Sequence, residues 1–306
     1  MGRELNDMST AQITENITFP ALFQSSENAL FQSSEKQLQL YDIRSQLLLF
    51  YSKITEFDLT KMTDSNLAEL YTVFTELDAL GHLDVDNEMC ECILRDPVIQ
   101  SLLPIIHSSY SNFFSLHETH LAQKILNHEN PWKMLQSFPL YPKYESLISA
   151  HFHNSPRIEV LAFIGCGPIP VTLLLFSKLY GIPCIGIDKD PKAAALAKRC
   201  VNHFGLEEKI SILCGDETSL SKFEWNSVLI AGLAEPKLQI FQNLYTVIKR
   251  KSDPIKSISV CYRNYTGMRQ LLYWPVQPKY TLGFRKINEI YPTDGANNTL
   301  VFLECE

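Results

Sequence analysis

The chain has no CxxC unit. Its eight cysteines are scattered over 306 residues, with only Cys90 and Cys92 close together. That rules out the paired thiol spacing of a structural zinc site. Cys166, Cys184, Cys214, Cys261 and Cys305 lie among apolar neighbours in strand-like or turn segments, and read as reduced, buried thiols of a cytoplasmic protein. No apolar run is long enough to cross a bilayer. The N-terminus lacks the basic-then-apolar order of a secretory signal. Asn6 breaks the myristoylation pattern that Met1-Gly2 begins. Basic charge is short as well: 27 Lys and Arg stand against 34 Asp and Glu, a net −7, which leaves no electrostatic footprint for nucleic acid. Small molecules are the expected partners, with no nucleic acid and no membrane; a homodimer stays open.

What is present is a globular composition, 45% hydrophobic and 20% charged, in a chain long enough for one large domain or two ordinary ones. Residues 1–37 are rich in Ser, Asn, Gln and Glu, and repeat LFQSSE at Leu22–Glu27 and Leu30–Glu35. They read as a mobile or loosely helical extension, two copies being too few for a repeat fold. Residues 38–155 read as an N-terminal helical domain, with Ile43, Leu47, Phe50 and Ile54 at helical spacing, then Leu67, Leu70, Phe74 and Leu77. Asp64 or Ser65 is the expected cap of that second helix.

Residues 156–306 alternate strands and helices. Strands are expected at 158–164, 183–187, 210–214, 227–231, 257–262, 284–291 and 299–305. Helices are expected at 171–180, 192–204 and 236–250, with a shorter one near 268–273. The early strands are apolar throughout, as in a parallel sheet covered on both faces. The last two resemble an antiparallel hairpin at one edge. The expected fold is α/β, a seven-stranded Rossmann-like sheet of the class I methyltransferase kind, with the helical domain over its ligand edge.

The sharpest local signal is Ile164-Gly165-Cys166-Gly167-Pro168-Ile169-Pro170, a turn between a strand and a helix where glycine lets a ligand approach the backbone. Asp188 ends the next strand at the interval expected of a carboxylate that binds a ribose diol. A dinucleotide fingerprint wants glycine at position 170, and Pro168 removes an amide donor. The turn is a poor pyrophosphate cradle and suits a nucleoside without phosphate, S-adenosylmethionine. Asp216 then falls where it accepts from the adenine amino group. In the plainer alternative, Gly165 and Gly167 only shape a loop, while Asp188 and Asp216 cap helices.

Glu118 interrupts the helical stripe of Tyr110, Phe114, Leu121 and Ile125. A carboxylate there is either paired with an Arg or Lys, or desolvated with a raised pKa that suits proton transfer. His117 and His120 flank it at i and i+3, which is not the HExxH spacing, and no metal is expected. Pro142 opens a helix on which Tyr144 is either a core tyrosine or a site residue.

Several segments together resemble the nicotianamine synthases. Phe74-Thr75-Glu76-Leu77 is similar to that family's FTEL segment, and Phe138-Pro139-Leu140-Tyr141-Pro142-Lys143-Tyr144 to its FPYYxNY segment. The run from Phe163 to Pro170 resembles its FxGSGPLP turn. Tyr262-Arg263, Gly267 and Leu272-Tyr273 fall at the spacing of its VRSxxGxxxxLYP stretch. The resemblance covers about residues 40–306. Departures are Cys166 for serine, Leu140 for the first tyrosine of the pair, and a shorter segment after Leu77.

The resemblance implies transfer of a 3-amino-3-carboxypropyl group from S-adenosylmethionine to an amino group, releasing methylthioadenosine and making a metal-chelating product. It implies Glu118 and Tyr144 as catalytic groups. Together with the strand-end positions read above, the expected cofactor-binding set is Gly165, Cys166, Gly167, Pro168, Asp188 and Asp216. Arg263, at a strand end on the ligand edge, is the candidate partner of a substrate carboxylate, its alternative being an ordinary surface arginine, and Tyr273 and Tyr141 are expected as further substrate contacts. Single-transfer relatives acting on other amino acids leave the acceptor open. The rivals are a small-molecule methyltransferase and a non-catalytic protein that keeps a cofactor pocket.

Overall fold

The computed structural model describes residues 34–57, 63–251, 258–293 and 295–306. The first LFQSSE copy lies outside the described residues, and the second enters them only as the opening residues of the first helix. Among the described residues six helices precede the sheet: α1 Ser34–Thr55, α2 Asp64–Gly81, α3 Asn87–Arg95, α4 Pro97–Leu126, α5 Pro131–Gln136 and α6 Tyr141–Asn154. Thr63, one residue before the expected positions, caps α2: its side chain accepts from the Asn66 amide. Asp96 caps α4 by accepting from the Val98 and Ile99 amides, each at 3.0 Å, with Pro97 at the first helical position. Proline there fixes φ without sacrificing a helical hydrogen bond.

From Leu161 strands and helices alternate: β1 Leu161–Ile164, α7 Val171–Tyr180, β2 Cys184–Asp188, α8 Pro191–His203, β3 Ile210–Cys214, β4 Ser227–Ile230, α9 Lys237–Lys251, β5 Ser259–Asn264, β6 Phe284–Ile290 and β7 Thr299–Cys305. A 3₁₀ turn at Glu217–Lys222 precedes β4, and another at Gly267–Leu271 follows β5. The sheet order is β3-β2-β1-β4-β5-β7-β6. Its first five strands are parallel, and β7 runs antiparallel between β5 and β6. This is an α/β Rossmann-like fold. The reversal between β1 and β4 sends the chain to opposite sides of β1, opening a crevice at the carboxyl ends of these strands.

Side chains along each central strand alternate between two cores. Leu161, Phe163, Leu229 and Cys261 face α6, α7, α8 and the end of α4. Ala162, Ile164, Val228, Ile230, Val260 and Tyr262 face α9. Burial of both faces explains why these strands are apolar runs. Cys214 is exposed, against expectation, because β3 is the edge strand; Cys166, Cys184 and Cys261 are buried.

A third core lies over the ligand edge. Ile43, Leu47, Leu70, Phe74, Leu77, Ile93 and Ile106 of the helices pack with Tyr265, Met268, Leu271, Leu272 and Tyr273 from the segment after β5. The helical layer therefore closes around a piece of chain that the sheet supplies.

Among the described residues no helix is long and apolar enough to cross a membrane.

Candidate active site

The turn after β1 has Gly165 at φ +78° and Gly167 at φ +68°, the left-handed region that other residues enter at a cost. Space also demands glycine at Gly165, while at Gly167 a side chain would displace the Glu118 carboxylate. A Cβ on Gly165 would stand 2.7 Å from the Ala234 Cβ, and one on Gly167 would stand 2.8 Å from Glu118 Oε2. The amides of Gly165 and Cys166 donate to the Ile187 carbonyl at 2.8 and 3.0 Å. Asp188 at the end of β2 binds the turn from below: its Oδ2 accepts from the Gly167 amide at 2.8 Å, and its Oδ1 from the Asp190 amide at 2.9 Å. A carboxylate has about four acceptor directions, so these two bonds leave room for a diol. The residue that caps α8 is Asp190.

Asp216 does act as a cap. It accepts from the Thr218 amide at 3.0 Å and from the Thr218 hydroxyl. It also lines the same cavity as Asp188 and the glycine turn. The capping and site readings therefore coexist there.

That cavity, about 530 Å³, runs between the sheet's carboxyl edge and the helical layer. It brings together Glu118, Tyr144, Gly165, Cys166, Gly167, Pro168, Asp188, Asp216, Arg263 and Tyr273. Tyr141 is the correction. It is buried in the sheet-side core and does not line the cavity. In α6 the cavity face is Leu140, Lys143, Tyr144 and Leu147, at helical i+3 and i+4 spacing. Tyr141 belongs to the adjoining face with Glu145, to which its hydroxyl is hydrogen-bonded, and burial pushes its pKa up to about 12.

Glu118 hangs from the middle of α4 directly over Gly167. The Tyr144 hydroxyl donates to Glu118 Oε1 at 3.1 Å. Desolvation raises the Glu118 carboxyl to about 7, and the nearby Asp188 charge adds to the rise. The Tyr144 hydrogen bond and the Arg263 charge oppose it without cancelling it. Burial, then the Glu118 charge, holds the Tyr144 phenol well above its usual range, so it stays a donor.

Arg263, in β5, is buried beside the cavity. Its Nη2 donates to Thr172 Oγ1 at 2.9 Å, its guanidinium lies 5.5 Å from the Phe163 ring centre, and its Nε has no partner among the described residues. It is not an ordinary surface arginine. Tyr273 is buried between the cavity and His107, hydrogen-bonded with Ser111. His117 is packed against Tyr71, Phe113 and Phe138, and desolvation lowers its pKa to about 4. Among the described residues no group of three or more His, Cys, Asp or Glu is placed to hold a metal.

Sequence reasoning passed over four features of the cavity. Thr172 holds Arg263. The segment from Ala231 to Glu235 closes over Gly165, and Lys237 fixes it by donating to the carbonyls of Gly232 and Ala234. Lys143 and Asn297 complete the wall with Tyr110 and Tyr265. Lys237 reads in sequence as an ordinary lysine at a helix start, its burial being visible only in the fold, and Asn297, in a polar turn before β7, looked like any turn residue.

Fold and cavity together define a Rossmann-like protein with a small-molecule site between sheet edge and helical cap. The family follows from sequence: the chain belongs to the nicotianamine synthase family, whose model, described as nicotianamine synthase protein, matches residues 42–306. Nicotianamine synthase 1 of Arabidopsis thaliana is 23% identical over 86% of this chain and 82% of its own length. The match to nicotianamine synthase of Solanum lycopersicum, 24% identical, spans 60% of this chain and 61% of that protein. L-histidine 2-aminobutanoyltransferase of Pseudomonas aeruginosa is 24% identical over 69% of this chain and 78% of its length.

Among solved structures, a glutamate-to-glutamine variant of MtNAS in complex with S-adenosylmethionine aligns with TM-score 0.76 and 28% identity, over 86% of this chain and 98% of that one. MtNAS in complex with MTA and tNA aligns with TM-score 0.76 and 30% identity, over 88% and 97%.

Proposed function

We propose that this protein transfers the 3-amino-3-carboxypropyl group of S-adenosylmethionine to the amino group of an amino-acid acceptor in the cytoplasm. Methylthioadenosine is released, and the product is a nicotianamine-like chelator. The observation that carries this reading is the Glu118–Tyr144 pair standing over Gly167, where a proton acceptor and the sulfonium's carbon chain would meet.

In this reading S-adenosylmethionine lies along Gly165–Gly167, its ribose on Asp188 and its adenine toward Asp216. Arg263 faces a substrate carboxylate, with Tyr273 on the same wall. The acceptor amine arrives protonated, with a pKa of about 8. An ordinary carboxylate is a weak base for it, a mismatch of roughly 5 kcal/mol. A carboxylate raised to about 7 reduces that to about 1.4 kcal/mol. Glu118 takes the proton while Tyr144 orients the carboxylate. The amine nitrogen then forms a bond to the γ-carbon of the methionine portion, the carbon–sulfur bond breaks, and its electron pair leaves with sulfur as neutral methylthioadenosine. The product leaves as the secondary ammonium, and Glu118 returns the proton it took to solvent. Which of the three sulfonium carbons reacts is decided by which one is held in line with the amine.

Support comes from the family, and from a relative of similar fold solved with S-adenosylmethionine. The relative named as an L-histidine 2-aminobutanoyltransferase supports a second version, a single transfer to a different amino acid. Incubation with S-adenosylmethionine, alone and with free amino acids, followed by mass spectrometry, tests both. Methylthioadenosine is the expected nucleoside. S-adenosylhomocysteine as the sole nucleoside product would overturn the proposal in favour of methyl transfer.

A further inference from the structure

The wall over Gly165 is a loop, residues 231–236 between β4 and α9, and all six of its residues line the cavity. The Ala231 amide ties it to the Ile164 carbonyl of β1 at 3.0 Å, and within it the Ala234 amide donates to the Ala231 carbonyl at 3.2 Å. Three further carbonyls of the loop are held by lysines. Lys237 Nζ donates to Gly232 at 2.8 Å and to Ala234. Lys189 follows β2, on the opposite side of β1, and its Nζ donates to the Glu235 carbonyl at 2.7 Å.

The two lysines differ. Lys189 is exposed and itself lines the cavity, whereas Lys237 is 4% exposed and does not. Burying an ammonium is costly. Desolvation lowers the Lys237 pKa to about 8, against the pull of Glu235, whose Oε1 lies 3.6 Å away. The place of Lys237 at the head of α9 adds to that cost, because a cation at a helix N-terminus opposes the macrodipole. Neither helix nor core calls for a charge here; a methionine would fill the position at less expense. What the ammonium achieves is to turn the Gly232 and Ala234 carbonyls away from the ligand side and to seat Ala234 on the glycine turn. A Cβ on Gly165 would stand 2.7 Å from the Ala234 Cβ and 3.4 Å from that of Ala231. The loop thus lies as near the turn as a missing side chain allows, and any shift of it is felt there.

We infer that Lys237 is a positioning residue of the nucleoside site: without touching the ligand, it holds the 231–236 loop at the height above Gly165 that an adenosyl group needs. The inference rests on the reading that Gly165–Gly167, Asp188 and Asp216 receive an adenosyl nucleoside. It is independent of which sulfonium carbon reacts.

The probe is methylthioadenosine, which carries the adenosyl group without charge, so removal of a nearby cation does not act on it directly. Calorimetric titration of the full chain is expected to show Lys237→Met binding it about tenfold more weakly than the wild type. In steady-state assays the KM for S-adenosylmethionine is expected to rise as well. The kcat at saturation is expected to stay within about twofold, since Glu118 and Tyr144 are carried by α4 and α6.

Unchanged methylthioadenosine affinity in a folded Lys237→Met overturns the inference. So does a fall in kcat with the affinity kept, which is the mark of a general loosening. Should the Met variant not fold, Lys237→Gln, which keeps a neutral N–H donor, takes its place: a loss of about threefold is expected, and an unchanged affinity again overturns the inference. A wild type that binds neither nucleoside defeats the nucleoside reading, and this inference with it. Wild-type binding that the substitution leaves untouched removes this inference alone.

Discussion

Glu118 holds its proton more tightly in the folded chain than in the unfolded one, its pKa rising from 4.5 to about 7. The folded state thus binds more protons than the unfolded state between those two values, and stability falls as pH rises through that window. Below about pH 4.5 the difference vanishes. Above about 7 it reaches up to about 3 kcal/mol, less what solvent screens. Glu118→Gln removes a charge that the cavity disfavours, so its melting midpoint is expected to exceed that of the wild type by about 5 °C at pH 8 and by far less at pH 5. A gap independent of pH would mean that the carboxyl does not titrate in this range. Glu118 was legible in the sequence because a lone carboxylate breaks an apolar stripe. Tyr141 was misplaced for a related reason: a helix that begins at its own first residue gives no preceding turn from which to read its rotational phase. Lys143 and Asn297 carry no local anomaly. Both are placed on the cavity wall by hydrogen bonds to Asp78, 65 residues before one and 219 before the other.

Among the elements, α4 is the one on which the site depends, since Tyr110, Phe114 and Glu118 all hang from it. Its first turn is fixed by Asp96, buried, whose Oδ1 caps the helix while Oδ2 pairs with Arg44 of α1. Asp96→Ala removes the cap, about 1 kcal/mol, and leaves a mostly buried guanidinium without its partner, about 3 kcal/mol more. Chemical denaturation is expected to show a loss of about 3–4 kcal/mol, with Asp96→Asn losing less because it can still cap. Equal, small losses in the two variants would show that the helix end is held by something else. The strands were legible to within about two residues, except that β1 opens three residues later than expected; burial on both faces gives the central strands continuous apolar runs, while the edge strands β3 and β6 are partly exposed. The position of β7 between β5 and β6 was not legible, since strand order depends on which edge the returning chain reaches and leaves no mark on local pattern.

At the scale of the molecule, the helical layer and the sheet do not have separate interiors. Tyr265, Met268, Leu271, Leu272 and Tyr273 complete the helical core from the sheet's side of the sequence, and the end of α4 with α5 and α6 completes a sheet core. A fragment of residues 34–155 would expose the faces that these residues cover. It is expected to show no cooperative thermal unfolding by itself, and to gain it when co-expressed with residues 156–306. A sharp melt from the isolated fragment would show that the helices are self-sufficient. Helical periodicity gave the layer's existence from sequence, but a shared interior is assembled from residues more than 150 positions apart and has no periodic trace.

Glu118 Oε2 stands where a Cβ on Gly167 would come within 2.8 Å of it, and a titrating carboxyl at that place makes the site an ion exchanger. At neutral pH the carboxyl there is about half occupied by a hydrogen ion. A guest whose sulfur carries a permanent positive charge favours the ionised carboxylate and displaces that occupant. Uptake of S-adenosylmethionine at pH 7 should therefore discharge up to about half a hydrogen ion into the medium, while neutral methylthioadenosine should discharge almost none. Titrations in buffers of unequal ionisation enthalpy would read that difference directly, and identical stoichiometry for the two nucleosides would contradict it.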